Sequence, residues 1–133
     1  MRELTGVNAW VLHGIHWVAR AALRARPPLQ AKALVDRFGG RFPSLGGADA
    51  ARAAVHELFP AGTCLSRALT VAATVRGAEV VIGVDAWSGA QVSAHAWLEI
   101  DGVRVDTRPG PEVQLPEELA RLPARRSHGR PQR

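Results

Sequence analysis

The sequence predicts an α+β domain in which helices fill the N-terminal half, one further helix carries the cysteine, and a small antiparallel sheet follows. Three observations predict it. Apolar residues recur at helical spacing in four runs up to residue 76, short β-branched runs take over after Gly77, and Asp101-Gly102 has the composition of a two-residue hairpin turn. The chain has 133 residues, no internal repeat, 47% hydrophobic and 22% charged residues, values of one ordinary globular domain.

The first run, Val7 to Leu23, is amphipathic, with Trp10, Gly14, Trp17, Ala21 and Arg24 in one stripe until Pro27 and Pro28 end it. The aromatic stripe is expected to face the core. Asn8, His13, His16 and Arg20 interrupt the run, so it is neither a secretion signal nor a membrane span, which needs about 20 apolar residues. His13 and His16 lie three apart, the spacing of two metal ligands on a helix. With no third ligand nearby, they are expected to be partly buried or interfacial instead. Leu29 to Phe38 is the second run, closed by Gly39 and Gly40, and Ala48 to Phe59 the third, closed by Pro60. His56 in the third run reads as an ordinary helical histidine.

Thr63 is a natural N-cap for the fourth run, Cys64 to Arg76, with Gly77 expected as its C′ residue. This helix is apolar nearly all round, so it should be buried. Cys64 falls in its first turn, where unsatisfied N–H groups and the helix dipole favour a thiolate, with Arg67 as a possible helper. A lone cysteine is otherwise often a small buried hydrophobe. It cannot form an intramolecular disulfide, which fits a reducing cytoplasm, and it excludes multi-cysteine zinc sites; no metal or cofactor is expected.

Val80 to Val84 reads as a strand, Ser88-Gly89-Ala90 as a turn, Ser93 to Ile100 as a second strand and Val103 to Thr107 as a third, stopped near Pro109. A two-residue turn sets the register, so Ile100 should face Val103, Glu99 Arg104, Leu98 Val105 and Trp97 Asp106. Parity then puts Ala96, Leu98, Ile100, Val103, Val105 and Thr107 on a core face. His95, Trp97, Glu99, Arg104 and Asp106 fall on the other. His95 and Asp106 become diagonal neighbours about 7–8 Å apart at Cα, near enough for their side chains to meet. Asp101 is about 20 Å along the strand and belongs to the turn, whereas Asp85 is an outside candidate on a strand of unknown pairing. Glu99 and Arg104 are expected to form a surface ion pair.

Charge patterning argues against a nucleic-acid module. The formal charge is +5, but residues 119–133 carry five arginines and no acid, while residues 1–118 hold twelve basic and twelve acidic side chains. The domain is therefore assigned to residues 1–118 and is neutral, and 119–133 reads as a frayed basic tail. Cys64, His95 and Asp106 supply a nucleophile, a base and an orienting carboxylate in that order along the chain. A scaffold with a merely buried Cys64 is the non-enzymatic alternative.

Cys64-Leu65-Ser66-Arg67-Ala68-Leu69, Ala94-His95-Ala96-Trp97-Leu98-Glu99-Ile100-Asp101-Gly102 and Val105-Asp106 together resemble the transglutaminase-like leader peptidases of lasso-peptide biosynthesis. The resemblance is specific over residues 60–108 and vague in the helical half. It implies a compact relative of papain and transglutaminase in which Cys64 is the nucleophile, His95 the base and Asp106 the orienting acid. It also implies removal of the leader from a ribosomally made precursor peptide, so that an asparagine-synthetase-like cyclase can use the freed amine. The stand-alone form it resembles works with a separate leader-recognition protein. Trp97 is a candidate wall of the substrate cleft, and acyl transfer to an amine, or amidase activity, is the alternative outcome of the same thioester chemistry.

Overall fold

The computed structural model describes residues 6–85, 93–107 and 117–124. Four helices, α1 (Gly6–Ala25), α2 (Pro28–Gly39), α3 (Gly47–Leu58) and α4 (Cys64–Thr74), precede four strands, β1 (Ala78–Asp85), β2 (Ser93–Ile100), β3 (Val103–Asp106) and β4 (Glu117–Leu122). The architecture is α+β, with the predicted elements in the predicted order. The strands form one antiparallel sheet in the order β3-β2-β1-β4. The turn expected at Ser88-Gly89-Ala90 and the stop near Pro109 lie outside the described residues.

Helix α4 is central. Ser66 through Thr74 are all buried, because the helix packs on β1 and β2 on one side and on α1, α2 and α3 on the others. Its small side chains allow close approach: a Cβ on Gly39 of α2 would lie 2.8 Å from the Ala73 Cβ. The apolar core runs from Leu12, Ile15 and Ala19 of α1 through Leu69 and Ala72 of α4 to Val80, Leu98 and Val105 of the sheet. Lys32 of α2 is carried into this interior by its i,i+4 partner Asp36, at 2.6 Å. Among the described residues, no helix is long and apolar enough to cross a membrane.

The hairpin follows the register read from the sequence. Ile100 pairs with Val103, Glu99 with Arg104, Leu98 with Val105 and Trp97 with Asp106. Asp101 and Gly102 both take positive φ, 51° and 79°, as a primed turn requires. Ala96, Leu98, Ile100, Val105 and Thr107 are buried on the helix side. Val103 departs from its expected face burial and is exposed, because β3 is an edge strand and Val103 sits at the hairpin tip.

Four further expectations are corrected. The stripe Trp10-Gly14-Trp17-Ala21-Arg24 faces solvent, with Trp10 82% and Trp17 69% exposed. Leu12, Ile15, His16, Ala19 and Ala22 face inward instead, where α1 packs on α2 and α4. Helix α4 stops at Thr74 rather than Arg76. Val75 is extended (φ −114°, ψ 127°) and bridges Leu45, whose N–H bonds the Thr74 carbonyl at 2.7 Å, so Gly77 (φ 79°) serves the turn into β1 and not a helix cap. Glu99 pairs with Arg121 across the sheet instead of with Arg104, because Arg104 turns to Asp106. Finally, the boundary drawn at residue 118 falls inside β4. This strand pairs with β1, buries Leu122 and joins Arg121 to Glu79 and Glu99, both at 2.7 Å. Residues 125–133 lie outside the described residues.

Candidate active site

Cys64 is the N1 residue of α4, half-buried and free of any disulfide. The turn that presents it is fixed by a reciprocal cap: the Ser66 N–H donates to Thr63 Oγ1 at 3.1 Å, and the Thr63 N–H donates to Ser66 Oγ at 2.9 Å. Thr63 is thus the N-cap its sequence position predicts. The cap uses the N–H of Ser66, and that of Arg67 bonds the Thr63 carbonyl at 3.0 Å. The N–H groups of Cys64 and Leu65 take no partner among the described residues, which leaves two donors beside the sulfur.

Arg67 has a role that its sequence position does not disclose. Its guanidinium is buried, donating from Nε to the Thr107 carbonyl at 2.7 Å and from Nη1 to the Ala61 carbonyl at 2.7 Å, with the Gly62 carbonyl at 3.4 Å. It also lies 5.0 Å from the Phe59 ring centroid. Arg67 therefore staples the approach to Cys64 onto the end of β3. Thr107 in turn donates from Oγ1 to the Ala96 carbonyl at 2.8 Å. One continuous set of bonds links the first turn of α4 to the residue after Asp106 and the residue after His95.

His95 and Asp106 do meet on the sheet. His95 Nε2 lies 3.9 Å from Asp106 Oδ1, an ion-pair distance about an ångström longer than a hydrogen bond. The same Oδ1 accepts from Arg104 Nη2 at 2.8 Å and Nε at 3.2 Å, which fixes the carboxylate beside the imidazole. Arg104 covers the Trp97 ring at 4.6 Å, and Trp97 lies 6.1 Å from His95. Trp97 is only 4% exposed, so it backs the imidazole and the guanidinium rather than forming an open lip. Gly83 of β1 stands directly across from His95, and Asp85 is two residues further, opposite Ser93. The Cys64 thiol itself makes no hydrogen bond among the described residues; what joins it to the other two is the Arg67 link and the shared end of the sheet.

The two α1 histidines part company. His13 donates from Nε2 to the Glu57 carboxylate at 2.9 Å in a largely exposed pair, while His16 is buried and lies 2.9 Å from Ser66 Oγ. Burial, together with Arg20, Arg67 and His13 nearby, pushes the His16 pKa down from 6.5 to about 4, so the ring is neutral. Across the sheet, the hydrogen bond from Arg121 holds the Glu99 carboxyl below the usual range against the opposing effect of burial.

No curated protein and no solved structure significantly matches the chain. The transglutaminase-like superfamily, however, matches residues 7–116, a span that begins in α1, ends just before β4, and includes the capped Cys64 helix and the His95–Asp106 hairpin. With most of its length covered, the chain belongs to the transglutaminase-like superfamily, whose members are typically catalytic through a cysteine in the manner of cysteine proteases.

Proposed function

We propose that the protein is a cysteine peptidase that cuts the leader from a ribosomally made lasso-peptide precursor through Cys64, His95 and Asp106. The observation that carries the reading is the diagonal His95–Asp106 pair at 3.9 Å, at the sheet end to which Arg67 ties the Cys64 turn. Nε2 is the ring nitrogen paired with the carboxylate, so the role of base is assigned to Nδ1. In the reaction, that nitrogen takes the Cys64 proton and sulfur attacks the scissile carbonyl. The N–H groups of Cys64 and Leu65 stabilise the resulting oxyanion. Collapse breaks the C–N bond as the imidazolium hands its proton to the leaving amine. Water, deprotonated by the same imidazole, then cleaves the thioester and restores the thiol. Asp106 steadies the imidazolium as it forms.

The lasso assignment rests on the sequence resemblance of residues 60–108; a separate leader-recognition protein and an asparagine-synthetase-like cyclase are the partners it implies. No cofactor enters the reaction, and a cytoplasmic setting suits the free thiol. Incubation of the purified protein with precursor and recognition protein, followed by mass measurement, tests the reading. Separate leader and core peptides are expected, and Cys64→Ala should lower the rate at least 10³-fold, roughly the scale of losing a nucleophile. His95→Ala should be similarly inactive, and Asp106→Asn slowed. An amine adduct in place of hydrolysis would make the enzyme an acyltransferase, and full processing by Cys64→Ala would remove the enzymatic reading.

A further inference from the structure

His16 lies 48 positions before Cys64, yet its imidazole reaches the turn that presents the thiol. We propose that His16 is a positioning residue for Cys64: bonded to the Ser66 hydroxyl, it locks the Gly62-Thr63-Cys64 turn and so fixes the direction of the sulfur. The inference rests on the reading of Cys64 as nucleophile. Three observations support it. Ser66 Oγ sits at the junction of the His16 contact and the cap, 2.9 Å from His16 Nε2 and 2.9 Å from the Thr63 N–H that donates to it. Gly62 has φ 71°, and a Cβ there would stand 2.6 Å from His16 Nε2 and closer still to Ser66 Oγ, so the ring is packed against the loop backbone. Arg67 in turn holds the carbonyls of Ala61 and Gly62. The turn is held by both an imidazole from α1 and a guanidinium from α4.

A histidine 2.9 Å from a serine is also the geometry of an activated hydroxyl nucleophile. Here both side chains are 2% exposed, and the serine oxygen already accepts the Thr63 N–H and lies 3.1 Å from the Thr63 carbonyl. That oxygen is closed to a substrate. The pair works on the backbone of the turn, and through it on Cys64.

Substituting the latch should alter the reactivity of the thiol more than substrate affinity. Precursor cleavage and iodoacetamide alkylation are measured for the wild type, His16→Leu, His16→Gln, Ser66→Ala and the double variant His16→Leu/Ser66→Ala, each well below its melting temperature. Cys64 is the sole cysteine, so alkylation reports it directly. His16→Leu and Ser66→Ala should each lower kcat and the alkylation rate about tenfold with KM little changed, the scale of one buried hydrogen bond. The double variant should lose no more than either single one. His16→Gln should recover most of the rate, because its amide nitrogen occupies the place of the imidazole Nε2. Should His16→Leu fail to fold, Ser66→Ala and His16→Gln carry the same test.

Wild-type kcat and alkylation in the single variants, or losses that multiply in the double variant, would overturn the proposal. So would a His16→Gln protein that regains its melting temperature but not its rate. If those results come with an inactive Cys64→Ala, only the positioning role falls. If Cys64→Ala processes the precursor normally, the peptidase reading falls instead, and alkylation alone then decides whether His16 sets the thiol.

Discussion

At the scale of single residues, the protein hides its polar groups by aiming them at backbone. Arg67 satisfies carbonyls of the Cys64 approach and of the β3 end, and a lysine could not reproduce that fork of donors. His16 is the other buried ionisable group beside the turn, and its neutrality has a thermodynamic signature. Its folded pKa is about 4 and the ordinary value is 6.5, so between those limits the unfolded chain binds the extra proton. The stability it contributes is complete above about pH 6.5, falls as pH drops, and is gone below about pH 4. A shift of that size corresponds to roughly 3 kcal/mol. Urea unfolding at pH 7, 5.5 and 4.5 should therefore show a smaller acid loss for His16→Gln than for the wild type. Equal losses would mean that the imidazole is protonated in the fold.

At the scale of elements, α1 has two apolar stripes, and packing chooses between them. The inner stripe of Leu12, Ile15, Ala19 and Ala22 is aliphatic and small, suited to a helix layer in which α2 and α4 nearly touch. The outer stripe carries the indoles. Substituting Trp10→Ser and Trp17→Ser should each change stability by less than about 0.5 kcal/mol in chemical denaturation, the usual range for exposed positions. A loss above 2 kcal/mol, on the order expected for a core tryptophan, would show that the domain covers them. Helix α4 illustrates the reverse case, in which its start is local and its end is not. Thr63 and Ser66 cap it within four residues, but Leu45, thirty residues upstream of Val75, draws the chain out at Thr74.

On the scale of the whole molecule, β4 closes the sheet on the β1 side and ties the C-terminal part of the chain to the site-bearing strands. Arg121 bridges Glu79 and Glu99, and Leu122 enters the core. A chain ending at Glu118 removes both and leaves β1 as an unpaired edge. It should lose at least about 3 kcal/mol, judged from a buried leucine alone, in urea unfolding. Unchanged stability would mean that β4 contributes nothing to the fold. The neutral body and the arginine-rich end are thus not separate at residue 119, because one of the five terminal arginines belongs to the sheet.

What short-range rules control was legible in the chain alone. Periodicity placed four helices, Thr63 as N-cap marked where α4 begins, and a two-residue Asp-Gly turn set a register that put His95 and Asp106 on one face. Long-range packing selected which stripe of α1 is inside, where α4 ends, and that Arg104 serves Asp106 while Arg121 takes Glu99. The assembled fold alone revealed β4, the Arg67 link to Thr107 and the His16 contact with Ser66. The physical reason is one of range: a cap or a hairpin is decided by residues a few positions apart, whereas most of these other outcomes are competitions between partners tens of residues away. Their winners are set by packing space and burial in the assembled core, which no local pattern encodes.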